Sequence, residues 1–340
     1  MTDETFCKAL QLRSAALART RAFFASEGFC ETDPPMLWPW ACPDPHIDPV
    51  KALVHTDAPE QKPKEFFLHT SPELALKRAL SRGVGKVYSL SHVFRDGEAG
   101  RLHAVEFTLL EWYRPQEELA ALVEDCRKLF ARLSTGLFGR TAFPLPEGGL
   151  CDVGGAFAQA TVEQLWRRRA GVDLRAALAR TASGEPDALV QAVRRAGYAL
   201  RPDATFDDAF HHVMLTRIEP AIGRDRPCAV TRWPARQAQL AQLCRDDPLF
   251  AERVEIYAGG VELANGFVEL SDGGEQRRRF EADNRERAAL GKPQPPLPEG
   301  FLAELPRLGP CVGIAVGFDR LLLLLAGKQR LSDVLPWSGL

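Results

Sequence analysis

The spacing of hydrophobic and polar residues changes from a helical to a strand period within the first third of the chain. Residues 5–28 repeat apolar side chains at helical spacing and stop at Gly28. The stretch SPELALKRALSRG (71–83) predicts a second helix with Ser71 as its N-cap. KEFFLHT, KVYSLSHVFR and VEFTLLEWYR alternate as strands do, and a loop at 96–104 separates the last two. This part of the chain therefore predicts helices combined with antiparallel strands.

Helical periodicity dominates from about residue 115 to residue 215, and strand patterns return afterwards. EIYAGGVELANGFVELSD (255–272) predicts a β-hairpin, and EQRRRFEADNRERAAL predicts a charged helix. CVGIAVGFDRLLLLLAG (311–327) predicts a strand, a glycine turn and a helix. Because the chemistry-bearing segments lie at both ends with helices between them, we predict one α+β domain, residues 1–340, with a mostly helical insertion at about 115–250.

Composition restricts the functional class. The 340 residues are 45% hydrophobic and 26% charged, with a formal net charge of -2, which argues against a protein whose main role is to coat nucleic acid. No apolar run is long enough to cross a bilayer, and the N-terminus lacks the basic start of a signal peptide. The eight cysteines are scattered without a C-x-x-C pair, so we expect reduced thiols in a cytoplasmic protein.

Charged side chains gather around the strand–loop–strand that follows the second helix. Arg95 ends the first strand, and His103 precedes the second. Strand alternation places Phe107, Glu111 and Tyr113 on one face of that second strand. A cation, an aromatic ring and a carboxylate thus converge, although an antiparallel pair with a polar exposed face would also explain the pattern.

The start of the last helix is a second candidate site. Asp319 and Arg320 open this helix directly after Gly317 and Phe318. An arginine in the first turn opposes the helix dipole, which favours anions there, so its position is reasonable if a phosphate binds at the same place. A solvent-exposed arginine paired with a nearby acid is the alternative.

The predicted hairpin places like charges on neighbouring strands. If Ala258-Gly259 forms a two-residue turn, Glu255 lies directly opposite Glu262, and two carboxylates at that distance destabilise a sheet unless a cation lies between them. Mg²⁺ commonly combines one or two carboxylates with substrate phosphates. A bulge at Asn265-Gly266 would be needed to bring Glu269 to the same face. A turn one residue later, at Gly259-Gly260, would change the pairing. The alternative to a metal site is a solvated acidic face.

Taken in this order, the segments resemble the signature regions of class II aminoacyl-tRNA synthetases, specifically the lysyl branch. TRAFFASEGFCETDPPML is similar to motif 1, FRDGEAGRLHAVEFTLLEWY to motif 2 and GIAVGFDR to motif 3. ELANGFVELSD and SPELALKR resemble the lysyl-family segments between them. The resemblance spans roughly residues 10–330 and implies the class II catalytic fold, an antiparallel β-sheet flanked by helices. Motif 1 begins so close to the N-terminus that no N-terminal anticodon-binding domain is expected.

Without that domain, the chain resembles most the truncated lysyl-synthetase paralogues of the EpmA (PoxA or GenX) family, the elongation factor P (R)-β-lysine ligases. That family activates (R)-β-lysine with ATP and attaches it to a lysine side chain of elongation factor P. Ala315 stands where lysyl-tRNA synthetases usually have glycine, and a methyl group on that pocket wall would alter which lysine isomer fits. Ordinary strand packing is the alternative explanation of Ala315.

The resemblance also implies a role for each candidate residue. The implied catalytic residues are Arg95 and Arg320. The residues implied to bind ATP are Arg95, Glu98, His103, Phe107, Glu262 and Arg320. Those implied to ligate Mg²⁺ are Glu255 and Glu262. Those implied to bind lysine or β-lysine are Glu73, Glu111, Tyr113, Glu269 and Ala315. Glu73 has a second explanation, because a glutamate in the first turn of a helix is favoured by the dipole alone.

Two positions depart from the family pattern. Gly97 stands where motif 2 usually has a glutamate, with Glu98 next to it, and Ala104 replaces an asparagine that helps to hold ATP. Two other functions therefore stay open: a stand-alone lysyl-type synthetase that charges tRNA or another acceptor, and a catalytically silent paralogue that serves as a regulatory binding module. The missing anticodon domain makes tRNA the less expected partner. The motif 1 resemblance implies a homodimer, and no membrane partner is expected.

Overall fold

The computed structural model describes residues 2–55 and 62–337, and the chain divides into two compact units. The first unit combines Met1–Glu118 with Glu269–Leu340, and the second comprises Leu119–Val268. The helices of the described residues are all too short or too polar to cross a lipid bilayer. The single domain with a helical insertion stays a prediction.

The N-terminal part of the first unit contains the two helices and three longer strands that the hydrophobic pattern predicts. Its elements are α1 (Asp3–Ser26), β1 (Cys30–Glu31), β2 (Leu37–Trp38), β3 (Lys51–Val54), β4 (Lys64–Leu68), α2 (Glu73–Ser81), β5 (Val87–Phe94) and β6 (Glu106–Pro115).

The start of α2 differs from the expected capping arrangement. The N-cap residue is Pro72, which makes no side-chain hydrogen bond, and not Ser71. The Ser71 hydroxyl accepts a hydrogen bond from the Glu73 amide at 3.0 Å and donates one to the Glu111 carboxylate at 2.7 Å. Ser71 therefore still accepts a hydrogen bond from an amide in the first turn of the helix, although it lies one residue before the N-cap. Its hydroxyl also donates to Glu111 of the sheet.

The second unit begins with a long helix, continues through short strands and a group of helices, and ends with a β-hairpin. Its elements are α3 (Leu119–Phe138), β7 (Ala142–Pro144), β8 (Leu150–Asp152), β9 (Ala158–Thr161), α4 (Val162–Leu165), α5 (Leu174–Ala182), α6 (Ala188–Arg195), α7 (Phe206–Val213), β10 (Cys228–Pro234), β11 (Phe250–Ala258) and β12 (Val261–Val268).

The helical pattern in the sequence did not reveal β9 and β10. Residues Cys228–Pro234 are apolar apart from Thr231 and Arg232, and periodicity alone does not distinguish so short a segment from a buried helix. Their strand conformation follows from pairing, because β10 lies between β9 and β11. The apolar faces of the helices cover this side of the sheet, where the Trp166 ring stacks on Phe210 at 5.3 Å and Phe210 meets Trp233 at 5.9 Å.

The C-terminal part of the first unit adds a charged helix and the strand–turn–helix that the sequence predicts. Its elements are α8 (Gly273–Ala289), α9 (Glu299–Glu304), β13 (Cys311–Gly317) and α10 (Phe318–Leu325). The last helix is almost entirely buried, as its run of leucines requires.

Each unit contains strands that pair mostly in antiparallel fashion. In the first unit the order is β1-β5-β6-β13, in which only β1 and β5 are parallel, and a small sheet has the order β2-β4-β3. In the second unit the order is β12-β11-β10-β9, in which only β10 and β9 are parallel. The predicted α+β class with an antiparallel sheet flanked by helices is confirmed.

The hairpin turn lies one residue later than the Ala258-Gly259 turn that would pair Glu255 with Glu262. Ala258 pairs with Val261, so the turn residues are Gly259 and Gly260. Their φ angles are +61° and +77°, a left-handed pair that suits two glycines and would strain an alanine. The physical reason for the shift is therefore backbone conformation.

This turn changes the register of the glutamates. Glu255 lies opposite Asn265, and Glu262 lies opposite Tyr257, so the predicted direct pairing of Glu255 with Glu262 is wrong. The register shifts at Leu263, and this irregularity replaces the bulge predicted two residues later in the chain. Glu255 and Tyr257 alternate onto one face, and Glu262 shares that face because it lies directly opposite Tyr257. The extra residue, Leu263, changes only the pairing beyond it, so that Asn265 lies opposite Glu255.

Arg287 on α8 fixes the proline-rich loop that precedes β3. Its side chain is buried and donates hydrogen bonds to the Asp44 carbonyl at 2.7 Å, the Ile47 carbonyl at 3.2 Å and the Pro293 carbonyl at 2.7 Å. It also pairs with the Asp48 carboxylate at 2.9 Å. One guanidinium thus satisfies backbone carbonyls of two loops.

We expect Arg287→Met to destabilise the protein by about 3 kcal/mol, because buried carbonyls lose their donor while the apolar stem keeps its volume. The measurement is urea unfolding at neutral pH. Arg285→Met, an exposed arginine on the same helix, should change the free energy of unfolding by less than about 0.5 kcal/mol. Equal losses in the two variants would contradict this role of Arg287.

Candidate active site

Glu111 lies in the middle of the first-unit sheet between small residues. In the strand register, Ser89 of β5 lies opposite Glu111, and Ala315 of β13 lies opposite it on the other side. The neighbouring row places Tyr113 opposite Gly313. Paired residues share a face of the sheet, so the Glu111 carboxylate is flanked by side chains that take little space.

Gly313 permits a close approach that no other residue allows. A Cβ atom at this position would collide with the Tyr113 ring and with Oε1 of Glu269. Glycine therefore lets both side chains lie against the backbone of β13. Tyr113 and Glu269, two of the predicted substrate-binding residues, meet at this point.

Glu111 is a buried carboxyl group held by two hydroxyls. Only 2% of the residue is exposed, and its oxygens accept hydrogen bonds from Ser71 at 2.7 Å and Tyr113 at 2.6 Å. Burial and the nearby Glu73 raise the pKa of Glu111 to about 7, although both hydroxyls oppose the shift. This carboxyl therefore changes its charge near neutral pH.

Lys77 on α2 connects two further carboxylates. Its ammonium lies 2.6 Å from Glu73, one turn earlier on the helix, and 2.5 Å from Glu269. Burial alone would lower the pKa of Lys77, but Glu269 and Glu73 raise it above its ordinary value. Burial raises the pKa of Glu269 to about 8, and Lys77 opposes that shift.

Sequence reasoning missed Lys77. The signal was present, because Leu74, Lys77 and Leu80 recur at three-residue spacing and all three are buried. A lysine inside the apolar stripe of a helix needs a buried partner of opposite charge. The structure thus brings four predicted substrate-binding residues, Glu73, Glu111, Tyr113 and Glu269, together around an unpredicted cation.

Arg95 lies against the predicted aromatic platform. Its guanidinium is 5.1 Å from the centre of the Phe107 ring, Nε donates to the Thr70 carbonyl at 3.4 Å, and Nη1 is 3.6 Å from the Glu98 carboxylate. The first unit therefore brings Arg95, Glu98 and Phe107 together. Gly97 between them has a φ of +78°, so the turn favours glycine there and leaves Glu98 as the acid next to Arg95.

Arg320 connects the start of α10 with the loop that carries His103. Its Nε donates to the Leu102 carbonyl at 3.1 Å, and the Gly100 amide donates to the His103 carbonyl at 3.1 Å. His103 is exposed at the tip of this loop. The two side chains predicted to hold phosphates, His103 and Arg320, are therefore carried by elements that touch each other.

Asp319 next to Arg320 is a buried structural acid. It accepts a hydrogen bond from the Thr108 amide at 2.6 Å and forms an ion pair with Arg13 of α1. Arg13 also donates to the Thr108 hydroxyl at 2.5 Å. Arg13, which sequence reasoning missed, thereby ties the first helix to both candidate nucleotide-binding segments.

The second unit carries the predicted metal ligands. Glu255 is 3% exposed, and its oxygens lie 2.5 Å from the Arg253 guanidinium and 2.5 Å from the Tyr257 hydroxyl. Burial and the charge of Glu262 raise the pKa of Glu255 to about 8. Arg253, unpredicted from sequence, is therefore one cation that relieves the repulsion between the two glutamates.

The donor set fits a hard divalent cation. An ionised carboxylate has about four lone-pair sites, so Glu255 can keep both protein donors and still offer an oxygen. Arg253 offsets part of the negative charge of the pair. Oxygen ligands of this type are those that Mg²⁺ prefers.

Known protein families match almost the whole chain. The family model described as tRNA synthetases class II (D, K and N) matches residues 1–339. Three relatives bear the name elongation factor P--(R)-beta-lysine ligase. The protein of Hamiltonella defensa subsp. Acyrthosiphon pisum (strain 5AT) is 35% identical over 330 residues, 96% of this chain and 93% of that protein. That of Avibacterium paragallinarum is 33% identical, covering 96% and 94%, and that of Yersinia pestis (strain Pestoides F) is 36% identical, covering 96% and 93%.

A mostly antiparallel sheet that presents cations, an aromatic ring and carboxylates defines a synthetase-type catalytic unit. The chain belongs to the class II tRNA synthetase family, and within it to the group of the elongation factor P (R)-β-lysine ligases.

The raised pKa of Glu111 predicts a dependence of stability on pH. Because the folded protein binds this proton more tightly than the unfolded chain, its contribution is present at acidic pH and is lost as pH rises through about 7. Between about pH 5 and pH 8 the wild type should lose about 2 kcal/mol of unfolding free energy relative to Glu111→Gln. Urea titrations at both pH values measure the difference.

Glu117→Gln serves as the matched control, because Glu117 is exposed just beyond the same strand. This variant should follow the wild-type pH dependence. If Glu111→Gln also follows it, Glu111 is ionised throughout this range and the interpretation of its buried environment is wrong.

Proposed function

We propose that this protein activates (R)-β-lysine, or lysine, with ATP as the aminoacyl-adenylate and transfers it to a lysine side chain of elongation factor P. The observation that carries this proposal is the group formed by the buried Glu111 and Glu269 and the partly buried Glu73, next to Ala315. A pocket with three carboxylates suits a substrate with two ammonium groups. The names of the relatives supply the isomer and the acceptor.

In the first step a carboxylate oxygen of the substrate attacks the α-phosphorus of ATP. The new P–O bond forms as the bond to the bridging oxygen breaks, and pyrophosphate leaves. Arg95 bridges the α-phosphate and the substrate carboxylate, and Arg320 neutralises charge on the outer phosphates. This chemistry requires positioning and charge neutralisation more than proton transfer, and two arginines supply both.

The nucleotide contacts follow from the first-unit side chains. Adenine would stack on Phe107, in the place where Arg95 covers the ring at 5.1 Å. His103 would join Arg320 on the outer phosphates, and Glu98 would contact the nucleotide beside Arg95. Glu255 and Glu262 would hold Mg²⁺, whose chemistry is to neutralise phosphate charge.

The amine contacts follow from the carboxylates. Glu111, Tyr113 and Glu269 would surround the terminal ammonium, and Glu73 would face the amine nearer the carboxylate. Ala315 would limit the room beside Glu111, which it faces in the register. In the second step the neutral acceptor lysine amine attacks the adenylate carbonyl carbon. The C–N bond of the amide forms, the C–O bond to the phosphate oxygen breaks, AMP leaves, and the amine releases one proton to solvent.

We expect ATP–pyrophosphate exchange with (R)-β-lysine and α-lysine, followed by a mass increase of elongation factor P in intact-protein mass spectrometry. Arg320→Met should lower the exchange rate at least about 100-fold, because it removes a charge from the phosphate site. Arg168→Met, an exposed arginine of the second unit, should leave the rate unchanged.

Three other outcomes contradict the proposal. Exchange followed by transfer to tRNA, and not to elongation factor P, would favour the stand-alone synthetase. The absence of exchange with every amino acid would favour a silent binding module. An Arg320→Met variant as active as wild type would remove Arg320 from the phosphate site.

We also propose a homodimer that uses α1. This helix has 24 residues, but its buried side chains are few, and Leu10, Leu12 and Leu17 are half-buried. A helix that leaves such leucines partly open is suited to a partner.

Sedimentation velocity at micromolar concentration should show a dimer of the wild-type protein. The double variant Leu10→Glu, Leu17→Glu should sediment as a folded monomer, because two buried charges would oppose association. Circular dichroism verifies its fold. A wild-type monomer would contradict the proposed dimer.

The proposed compartment is the cytoplasm. All eight cysteines are free thiols, and most of them are buried. Free thiols are typical of reducing compartments, and the proposed acceptor is a translation factor.

A further inference from the structure

The first-unit carboxylates raise an electrostatic problem that the substrate alone does not solve. Glu111 and Glu269 are almost completely buried, and Glu73 lies beside them on α2. Without compensation, three such groups protonate or move apart in the empty protein. A pocket that protonates its carboxylates before the substrate arrives binds ammonium groups poorly.

Lys77 is the group that the fold places at this point. It is 1% exposed, so it has no role as a surface charge. Its ammonium contacts Glu73 at 2.6 Å and Glu269 at 2.5 Å, which links α2 to the segment that follows β12. A lysine that serves only packing would be replaced by leucine at little cost, whereas a buried ammonium is stable only between carboxylates.

We infer that Lys77 is a positioning residue: its buried ammonium holds the Glu73 and Glu269 side chains in place and opposes protonation of Glu269, so that the two carboxyl groups are arranged to receive the two amines of the substrate. The inference rests on the proposed function, because it assigns Lys77 to the same diamine pocket. When all three carboxyl groups are ionised, the single charge of Lys77 is smaller than their combined charge by two. A lysine isomer brings two ammonium groups, so the bound pocket reaches neutrality.

The other groups around Lys77 are consistent with this role. Glu111 and Tyr113 of β6 face it from the sheet, and their hydroxyl–carboxylate hydrogen bond is 2.6 Å long. Cys311 of β13 is buried near Lys77 and Glu269, and burial raises the pKa of its thiol beyond the neutral range. Cys42 is near Glu73, and burial raises its pKa as well. Both thiols are therefore neutral, and Lys77 is the cation that opposes protonation of Glu269.

The test measures ATP–pyrophosphate exchange with (R)-β-lysine and α-lysine at several pH values from about 6.5 to about 9. Wild-type KM should fall as pH rises through about 7 to 8, where Glu111 and Glu269 ionise. In Lys77→Met, KM at about pH 7.5 should rise at least about 10-fold. The pH at which KM decreases should be higher than in the wild type by about one pH unit. The kcat value should change less than about 3-fold, because the arginines at the phosphates are untouched.

Lys77→Arg keeps the charge and should restore the wild-type pH profile, whereas a purely structural defect would change KM equally at every pH. Lys51→Met, which removes a surface lysine paired with Glu65 at 3.0 Å, is the matched control. A Lys77→Met variant with the wild-type KM and pH profile would overturn the inference and leave the proposed function intact. A wild-type protein without exchange would overturn both.

If Lys77→Met does not fold, Lys77→Gln is the second neutral variant. If neither folds, the test uses NMR spectra of the wild-type protein labelled with ¹⁵N-lysine. The Lys77 signal is the one that is missing from the spectrum of Lys77→Arg. The Lys77 ammonium should keep its charge from about pH 7 to about pH 10 and shift when the substrate binds. A signal that titrates below about pH 9, or one that ignores the substrate, would overturn the inference.

Discussion

Buried like charges are the constraint on which the candidate site depends. Glu111 is held by two hydroxyls, and Glu269 is held by Lys77, so each carboxylate has a specific compensating partner. Each partner comes from a different element: Ser71 precedes α2, Lys77 lies within it and Tyr113 lies on β6. The position of α2 against the sheet is therefore part of the electrostatics of the pocket.

Small residues make this arrangement sterically possible. Gly313 leaves room for the Tyr113 ring and Glu269, and Ser89 and Ala315 flank Glu111 in the register. Large side chains at these positions would fill the space that a substrate needs. The sheet thus combines carboxyl groups and small residues at one place, as the proposed recognition of a substrate with two ammonium groups requires.

The second pair of carboxylates, Glu255 and Glu262, also needs compensation of its charge, which here comes from an arginine. Glu255 and Glu262 are not paired with each other, but they share one face because Glu262 lies opposite Tyr257, and Arg253 lies beside Glu255. The raised pKa of Glu255 indicates that one arginine compensates only part of the repulsion. The proposed Mg²⁺ would compensate this repulsion further, and carboxylate oxygens are ligands that it prefers.

The sequence by itself determined the class of fold, most of the elements in the first unit and the identity of most candidate residues. Local signals were sufficient there, because periodicity, glycine turns and motif order depend on neighbouring residues. Tertiary structure alone decided the turn at Gly259-Gly260, the strand state of β10 and the partners of the buried charges. Lys77 and Arg253 acquire their roles from burial beside Glu269 and Glu255. No local pattern encodes which face a helix buries against which strand, and so the compensation of these charges exists only in the folded chain.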